Sequence, residues 1–334
     1  MKAIRLHEFG PAENLRYESA PDPLPAAGQV RITVAAAGIH LVDTHLRRGL
    51  PGPYPLPQLP TIPGREVAGT VDLVGPGVDP DLLGTAVVTH LGTAPGGYAE
   101  LAVADAARLH SIPSELDPAA AVAMIGTGRT TLGILGFAEL EPGHLAVVPA
   151  AAGGIGTLLV QYLRASGLTV VGLAGGPDKV ATVAANGADL ALDYTDPGWP
   201  EAVRARFGER PAHWVFDGVG GAAGRAAVEL LAPGGAHLVF GWSDTALDID
   251  RGHLAARGIT SRSTLGPAML ERGGGIAALE TRALAEAASG RLRPAVHRFA
   301  LTDAAAAHRA LERRATVGKV ILEPSRSITV RLLT

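Results

Sequence analysis

The sequence predicts a two-domain α/β chain, with a β-rich domain at its start and a doubly wound parallel sheet behind it. Three observations carry this. The 334 residues exceed the size at which one hydrophobic core keeps growing. The first third is rich in turns and in short alternating apolar stretches. From residue 145 onward, apolar strands and helical stretches alternate, as they do in a parallel sheet covered on both faces.

In the first third, Val30 to Val34 alternates as a half-buried strand does, and Val67 to Val74 is a second strand closed by Gly75-Pro76-Gly77. Prolines at 51, 53, 55, 57, 60 and 63 cannot pair in a central strand, so this stretch is expected to be a surface loop. The texture changes near Asp117, and Pro118 to Ala138 reads as helical.

Alternation then sets in. Strands are expected at Leu145–Val148, Thr169–Leu173, Leu190–Leu192, from Val215, at Ala236–Phe240 and at the end of 251–263. Helices are expected at Ile155–Ser166, Asp178–Asn186, Trp199–Phe207 and Ala222–Leu231, and at the start of 251–263. Six strands is the dinucleotide-binding count. A helix over Gly275–Ser289 and a strand over Val317–Leu322 follow. The expected boundaries are 1–122 for the first domain, 123–265 for the sheet domain, and 266–334 as a return to the first.

Composition excludes several functions. Apolar residues make up 47% of the chain, enough for full cores, while the net charge is only −3. No basic stripe suited to nucleic acid or anionic lipid is present. The absence of cysteine rules out disulfides, thiolate metal sites and a cysteine nucleophile. No apolar stretch reaches membrane-spanning length and the first residues do not form a signal peptide, so a soluble cytoplasmic protein is expected.

The turn Pro149-Ala150-Ala151-Ala152-Gly153-Gly154-Ile155-Gly156 lies between a strand and a helix. Small residues there let the backbone approach a pyrophosphate, and the helix start offers free N–H groups and a partial positive charge. The strict G-x-G-x-x-G spacing is broken, because Ala151 stands at its first position. About 20 residues on, NAD-binding sheets place an acid for the ribose. Here the strand ends in Ala174-Gly175-Gly176-Pro177-Asp178-Lys179, with glycine at the strand end and one of the chain's three lysines within a turn. The next strand ends at Asp193-Tyr194. Gly175, Lys179 and Tyr194 together make a pocket tolerant of a 2′-phosphate, hence a preference for NADPH.

With these residues in view, the chain resembles the zinc-independent quinone oxidoreductases of the medium-chain dehydrogenase/reductase family. Carrying the resemblance are the A-A-A-G-G-I-G turn, the strand-end pattern through Lys179 and Asp193-Tyr194. Ala37 to Thr44, Gly96-Gly97-Tyr98-Ala99-Glu100, Gly128-Arg129-Thr130 and Val317-Gly318-Lys319-Val320 add to it. It implies a GroES-like catalytic domain plus a Rossmann domain, with the cofactor in the cleft between them, and a homodimer joined through Rossmann edge strands. Cofactor contacts are implied at Thr130, Ala152, Gly153, Gly154, Ile155, Gly175, Lys179, Tyr194, Gly218, Phe240, Gly241, Trp242 and Lys319.

Zinc enzymes of the wider family hold their metal with a Cys, the His of a G-H-E motif and a second Cys. The matching positions here are His40, Arg65 and Thr127. A guanidinium at the centre of such a site repels a dication, so no metal is expected. Reduction of a quinone or an α,β-unsaturated carbonyl, which needs no strong Lewis acid, is the implied reaction. A dedicated enoyl or ketone reductase, or a catalytically weak NADPH-binding module, are the alternatives.

Candidate catalytic residues are His40, Asp43, His45 and Arg65. The sequence departs from the family's usual Asn and Tyr at the first and third of these. His40 can donate to the acceptor carbonyl or protonate the product. His45 falls at a proton-relay position of the zinc enzymes, and Asp43 can orient either imidazole. Arg65 either faces the substrate oxygen or pairs with Glu66 or Asp43. Trp242 offers a face for a planar acceptor.

Overall fold

The computed structural model describes residues 1–52, 54–92 and 95–324. Pro53, one of the six clustered prolines, lies outside them. The chain divides into two compact units, Met1–Gly126 with the chain from Val296 onward, and Thr127–Ala295.

The second unit is the doubly wound sheet. Its six strands lie in the spatial order Leu190–Asp193, Thr169–Ala174, Leu145–Val148, Ala212–Asp217, Leu231–Val239, Thr260–Ser263, and every pairing is parallel. The chain order reverses between Leu145–Val148 and Ala212–Asp217, the point at which such sheets bind ligands. Val147, Val171, Leu173 and Val215 are fully buried in the sheet, and Trp199 and Val203 cover them from the helix Trp199–Phe207. The helix expected to run to Leu231 stops at Glu229, because Leu231 already pairs with Ala212 in the next strand.

The expected return of the chain at 266 comes thirty residues later, which corrects the second boundary. A helix not foreseen, Pro267–Gly273, precedes Ile276–Ala288, and both pack on Arg129–Leu135 inside the second unit. Met269 fills the space over Gly133, where a Cβ would lie 2.5 Å from its Cγ. Arg129 pairs with Glu280 at 2.5 Å. The first boundary falls at 126 rather than 122, within the stretch expected to be helical. That stretch is two helices, Pro118–Ala123 and Arg129–Leu135, joined by a wide π-type turn at Met124–Gly128.

In the first unit, seven strands form one sheet around Gln29–Ile39, which pairs with Glu66–Val74, Leu101–Asp105 and Lys319–Glu323. The strand Lys319–Glu323 brings the end of the chain back into the opening domain. Ile4, Leu6, Ile32, Val67, Val71, Tyr98 and Val320 form its core. The register sets three strand termini side by side. Val320 faces Ile39 and Val67 faces Ala37, so Lys319, His40 and Glu66 converge.

Candidate active site

Glu66 is fully buried. Its Oε1 lies 2.6 Å from His40 Nε2 and its Oε2 2.8 Å from the Lys319 ammonium. Lys319 Nζ is also 2.8 Å from His40 Nε2. Burial alone pushes the Glu66 carboxyl upward, but His40 and Lys319 more than offset this and hold it well below the usual carboxylate range. The carboxylate fits only because Gly126 has no side chain, since a Cβ there would lie 1.6 Å from Oε1. That contact falls inside the widened turn Met124–Gly128, where inserted side chains commonly distort a helix.

One nitrogen serves both neighbours. Nε2 carries either a hydrogen or a lone pair. With the hydrogen it stands as an ion-pair partner against Glu66; without it, it accepts from Lys319. A proton in this cluster therefore has two resting places, the imidazole and the lysine. The His40 side chain is 31% exposed, so its ring keeps an outward edge.

A second buried network lies behind the first. Asp43 accepts from the backbone N–H of His40 at 2.7 Å, from Arg65 Nη2 at 3.2 Å and from the Tyr98 hydroxyl at 3.4 Å. Asp43 thus grips the backbone of His40, not either imidazole ring. The Arg65 guanidinium also stacks on Tyr54, 3.8 Å from the ring centre. Tyr98 continues to His308, whose Nε2 is 3.3 Å from the hydroxyl. His45 is tied to its own helix, its Nδ1 3.1 Å from the Leu41 carbonyl.

In the second unit, Ala150 adopts a left-handed backbone (φ 53°) just before the small-residue turn, a conformation costly for a residue with a Cβ. Gly156 permits the turn to fold onto the helix, because a Cβ would lie 2.3 Å from the Ala150 carbonyl. Gly153 caps the helix Gly154–Ala165 in extended conformation, with no side chain covering the first N–H groups. Ala152, Ile155 and Thr130 lie on this turn, its helix and the helix Arg129–Leu135. At the end of the second strand Tyr194 overlies Gly175, with its hydroxyl 3.3 Å from a Cβ built there. Asp193 is turned inward, accepting from the backbone of Gly176 and Thr195, each at 2.9 Å. Lys179 is half-buried and Asp178 exposed, both in the first turn of Pro177–Ala185. At the fourth strand's end Phe240 packs over Gly218, with Gly241 beside it, while Trp242 is 63% exposed.

Residues 26–114 match the alcohol dehydrogenase GroES-like domain, and residues 154–278 match the zinc-binding dehydrogenase family. A quinone oxidoreductase of Pseudomonas aeruginosa is 30% identical over 328 residues, which is 97% of this chain and 99% of that protein. The chain belongs to the quinone oxidoreductase group of the medium-chain dehydrogenases/reductases. A 2-haloacrylate reductase from Burkholderia is 29% identical over 331 residues, 96% of this chain and 98% of that one. Among solved structures, Escherichia coli quinone oxidoreductase complexed with NADPH superposes with a TM-score of 0.84 at 28% identity, covering 97% of this chain and 100% of that one.

For a quinone oxidoreductase-group member, the structure gathers the sequence candidates unevenly. His40, Asp43 and Arg65 lie in two touching networks of the first unit, with His45 on the adjoining helix turn. Lys319, an expected cofactor contact, meets Glu66 and His40. Sequence reasoning missed Glu66 as the hub of the cluster and passed over Tyr98 and His308. The signal for Glu66 was its place beside Arg65 in the Gly64-Arg65-Glu66 segment; for His308 there was none, since its partners are more than 200 residues away.

His308 is buried, and desolvation drives its pKa down to about 4. In the unfolded chain it titrates near 6.5, so the unfolded state binds the proton first as pH falls. Stability is therefore lost between pH 6.5 and about 4 and levels off below that, by about 3 kcal/mol. Urea denaturation of the protein and of His308→Gln across this range checks it. The slope is expected to weaken in the variant, and an identical slope contradicts the assignment.

Proposed function

We propose that the protein is an NADPH-dependent, zinc-free reductase of quinones or related α,β-unsaturated carbonyl compounds. The observation that carries this is the His40–Glu66–Lys319 cluster, in which a lysine ammonium and an exposed imidazole edge stand on one buried carboxylate. The family relationship supports the reaction class, and the Escherichia coli relative complexed with NADPH supports the cofactor. The acid-free strand end with Gly175, Lys179 and Tyr194 fits a 2′-phosphate, and the Gly153-capped helix fits a pyrophosphate.

When bound, NADPH supplies the hydride. The protein's residues manage the charge and the proton that follow. Reduction of a carbonyl-conjugated acceptor leaves negative charge on its oxygen. His40 donates a proton from its exposed ring edge, while Nε2 takes one from Lys319 across 2.8 Å. Glu66 holds both cations' partners in place, and Asp43 fixes the backbone from which His40 projects. The Burkholderia relative's name extends the acceptor class to activated alkenes. A homodimer and a cytoplasmic location belong to the same reading; among the described residues no helix is long and apolar enough to cross a membrane.

Zinc does not suit this donor set. Lys319 fills the space beside His40 and Glu66, Arg65 pairs with Asp43, and no described group of three or more His, Cys, Asp or Glu is placed to hold a metal. We assign Arg65 to holding the Asp43 segment.

Turnover is tested by following NADPH oxidation with a panel of quinones and enones. His40→Phe is expected to lower kcat roughly 100-fold, a typical contribution of one general acid, with NADPH affinity nearly unchanged. Lys319→Met alone is expected to lose about 3–5 kcal/mol of stability; paired with Glu66→Gln it should refold without recovering turnover. Binding of NADPH with no turnover on any acceptor refutes the reductase in favour of a cofactor-binding module.

Cofactor preference is read by fluorescence titration. NADPH is expected to bind more tightly than NADH, and Lys179→Ala to cost NADPH roughly tenfold, the size of one charged hydrogen bond. Equal affinities that the substitution leaves untouched contradict the assignment.

Chelator treatment is expected to leave the rate unchanged, and Arg65→Met to lower the melting temperature more than the turnover. One zinc per chain by elemental analysis overturns the metal-free reading, and a hundredfold loss in well-folded Arg65→Met overturns the structural role of Arg65.

A further inference from the structure

A line of three polar side chains crosses the last strands of the sheet unit. Asp217, at the end of Ala212–Asp217, faces His237 of Leu231–Val239, with Oδ2 3.2 Å from Nε2. His237 Nδ1 lies 2.9 Å from the hydroxyl of Ser261, its register partner on the outermost strand Thr260–Ser263. Asp217 and His237 are both buried, while their chain neighbours Phe216, Ala236 and Leu238 are apolar core. Burying two polar groups in such a sheet costs more than burying an apolar pair, so the line calls for a reason. Burial pushes the Asp217 carboxyl up, but the bonds from His237, Gly220 and Val219 outweigh it and hold it below the usual carboxylate range. A carboxylate only accepts, so Nε2 carries a hydrogen and donates to Asp217. The Ser261 hydroxyl satisfies Nδ1 either as donor or as acceptor.

At its inner end the line holds a turn. Asp217 Oδ1 accepts the backbone N–H groups of Val219 at 2.8 Å and of Gly220 at 2.9 Å. Gly220 and Gly221 both adopt the left-handed region, with φ of 70° and 55°. Glycines give the backbone many other conformations, so this turn keeps its shape through what is bonded to it. Backbone bonds tie the same turn to the following loop. The Ser243 N–H reaches the Gly218 carbonyl at 3.1 Å, and the Asp244 N–H reaches the Val219 carbonyl at 2.9 Å. Gly218, Phe240 and Gly241, all expected cofactor contacts, thus share one frame. A doubly wound sheet binds a dinucleotide across the point where its strand order reverses. Gly175, Lys179 and Tyr194 stand on one side of that point, so the nicotinamide half belongs on the other, over this frame.

We propose that His237 is a positioning residue for the cofactor. It holds the Asp217 carboxylate in place, and Asp217 in turn holds the 218–220 turn in the shape that receives the nicotinamide half of NADPH. Ser261 anchors the line on the outermost strand. The proposal rests on the NADPH reading above and adds to it a residue that acts through another. The adenine half, on the far side of the reversal point, does not depend on the line.

The test compares NADPH with adenosine 2′,5′-bisphosphate, which carries the adenine half and its 2′-phosphate and lacks the nicotinamide. His237→Leu is expected to weaken NADPH roughly tenfold by fluorescence titration, the size of one hydrogen bond to a charged group. Calorimetry is expected to find the bisphosphate bound as before. His237→Gln, whose amide donates where Nε2 does, is expected to restore tight NADPH binding, which a residue that only fills space would not require. Asp217→Asn keeps the shape and loses the charge. It is expected to give the same selective loss, and it stands in if the leucine variant does not fold. NADPH binding unchanged in the folded leucine or asparagine variant, both ligands weakened alike, or no recovery with glutamine overturns the proposal. Failure of the unsubstituted protein to bind NADPH overturns the cofactor reading and this proposal together. Absence of the selective loss in a protein that binds NADPH overturns this proposal alone.

Discussion

A carboxylate sealed from water organises the first unit. An isolated buried charge is prohibitively costly, so Glu66 persists only with cations held against it. His40 and Lys319 meet that demand from two other strands, and the register of three strands follows from bringing them together. Gly126 leaves room for the carboxylate, and the helix widens where it does so. Removing any one of these partners leaves the others with unbalanced charge or empty space.

The two buried networks divide the work. The Glu66 network gathers charge, because one carboxylate faces both an imidazole and an ammonium, and the shared imidazole nitrogen can satisfy only one neighbour at a time. The Asp43 network controls position, because its carboxylate gathers a backbone amide, a guanidinium and a phenol. Arg65 belongs to the second. A guanidinium stays charged at every working pH, and here it pairs with Asp43.

The sheet unit was legible almost strand by strand, because βα alternation and buried apolar runs are local signals. Its phosphate turn was legible for the same reason: a strand, a run of small residues and a helix start are consecutive in sequence. Two features were not. The packing of Pro267–Gly273 on Arg129–Leu135 depends on Met269 meeting Gly133, a contact between segments more than 130 residues apart that leaves no periodic trace. The catalytic cluster was half legible. His40 and Arg65 stood out by aligning with metal-ligand positions, whereas Glu66 and Lys319 read as an ordinary acid and a cofactor contact until the strand register joined them.

The chain's route has a consequence for biogenesis. Glu66 and the lysine that neutralises it are separated by the whole sheet unit in the chain. The sheet unit, built wholly from Thr127–Ala295, is complete in sequence before Lys319 is reached. The opening domain therefore reaches its final charge balance only once Lys319 has been made and its strand has docked. Such a long-range closure is intrinsically slow. It makes the emergence of the C-terminal strand the step that commits the nascent chain to an active enzyme.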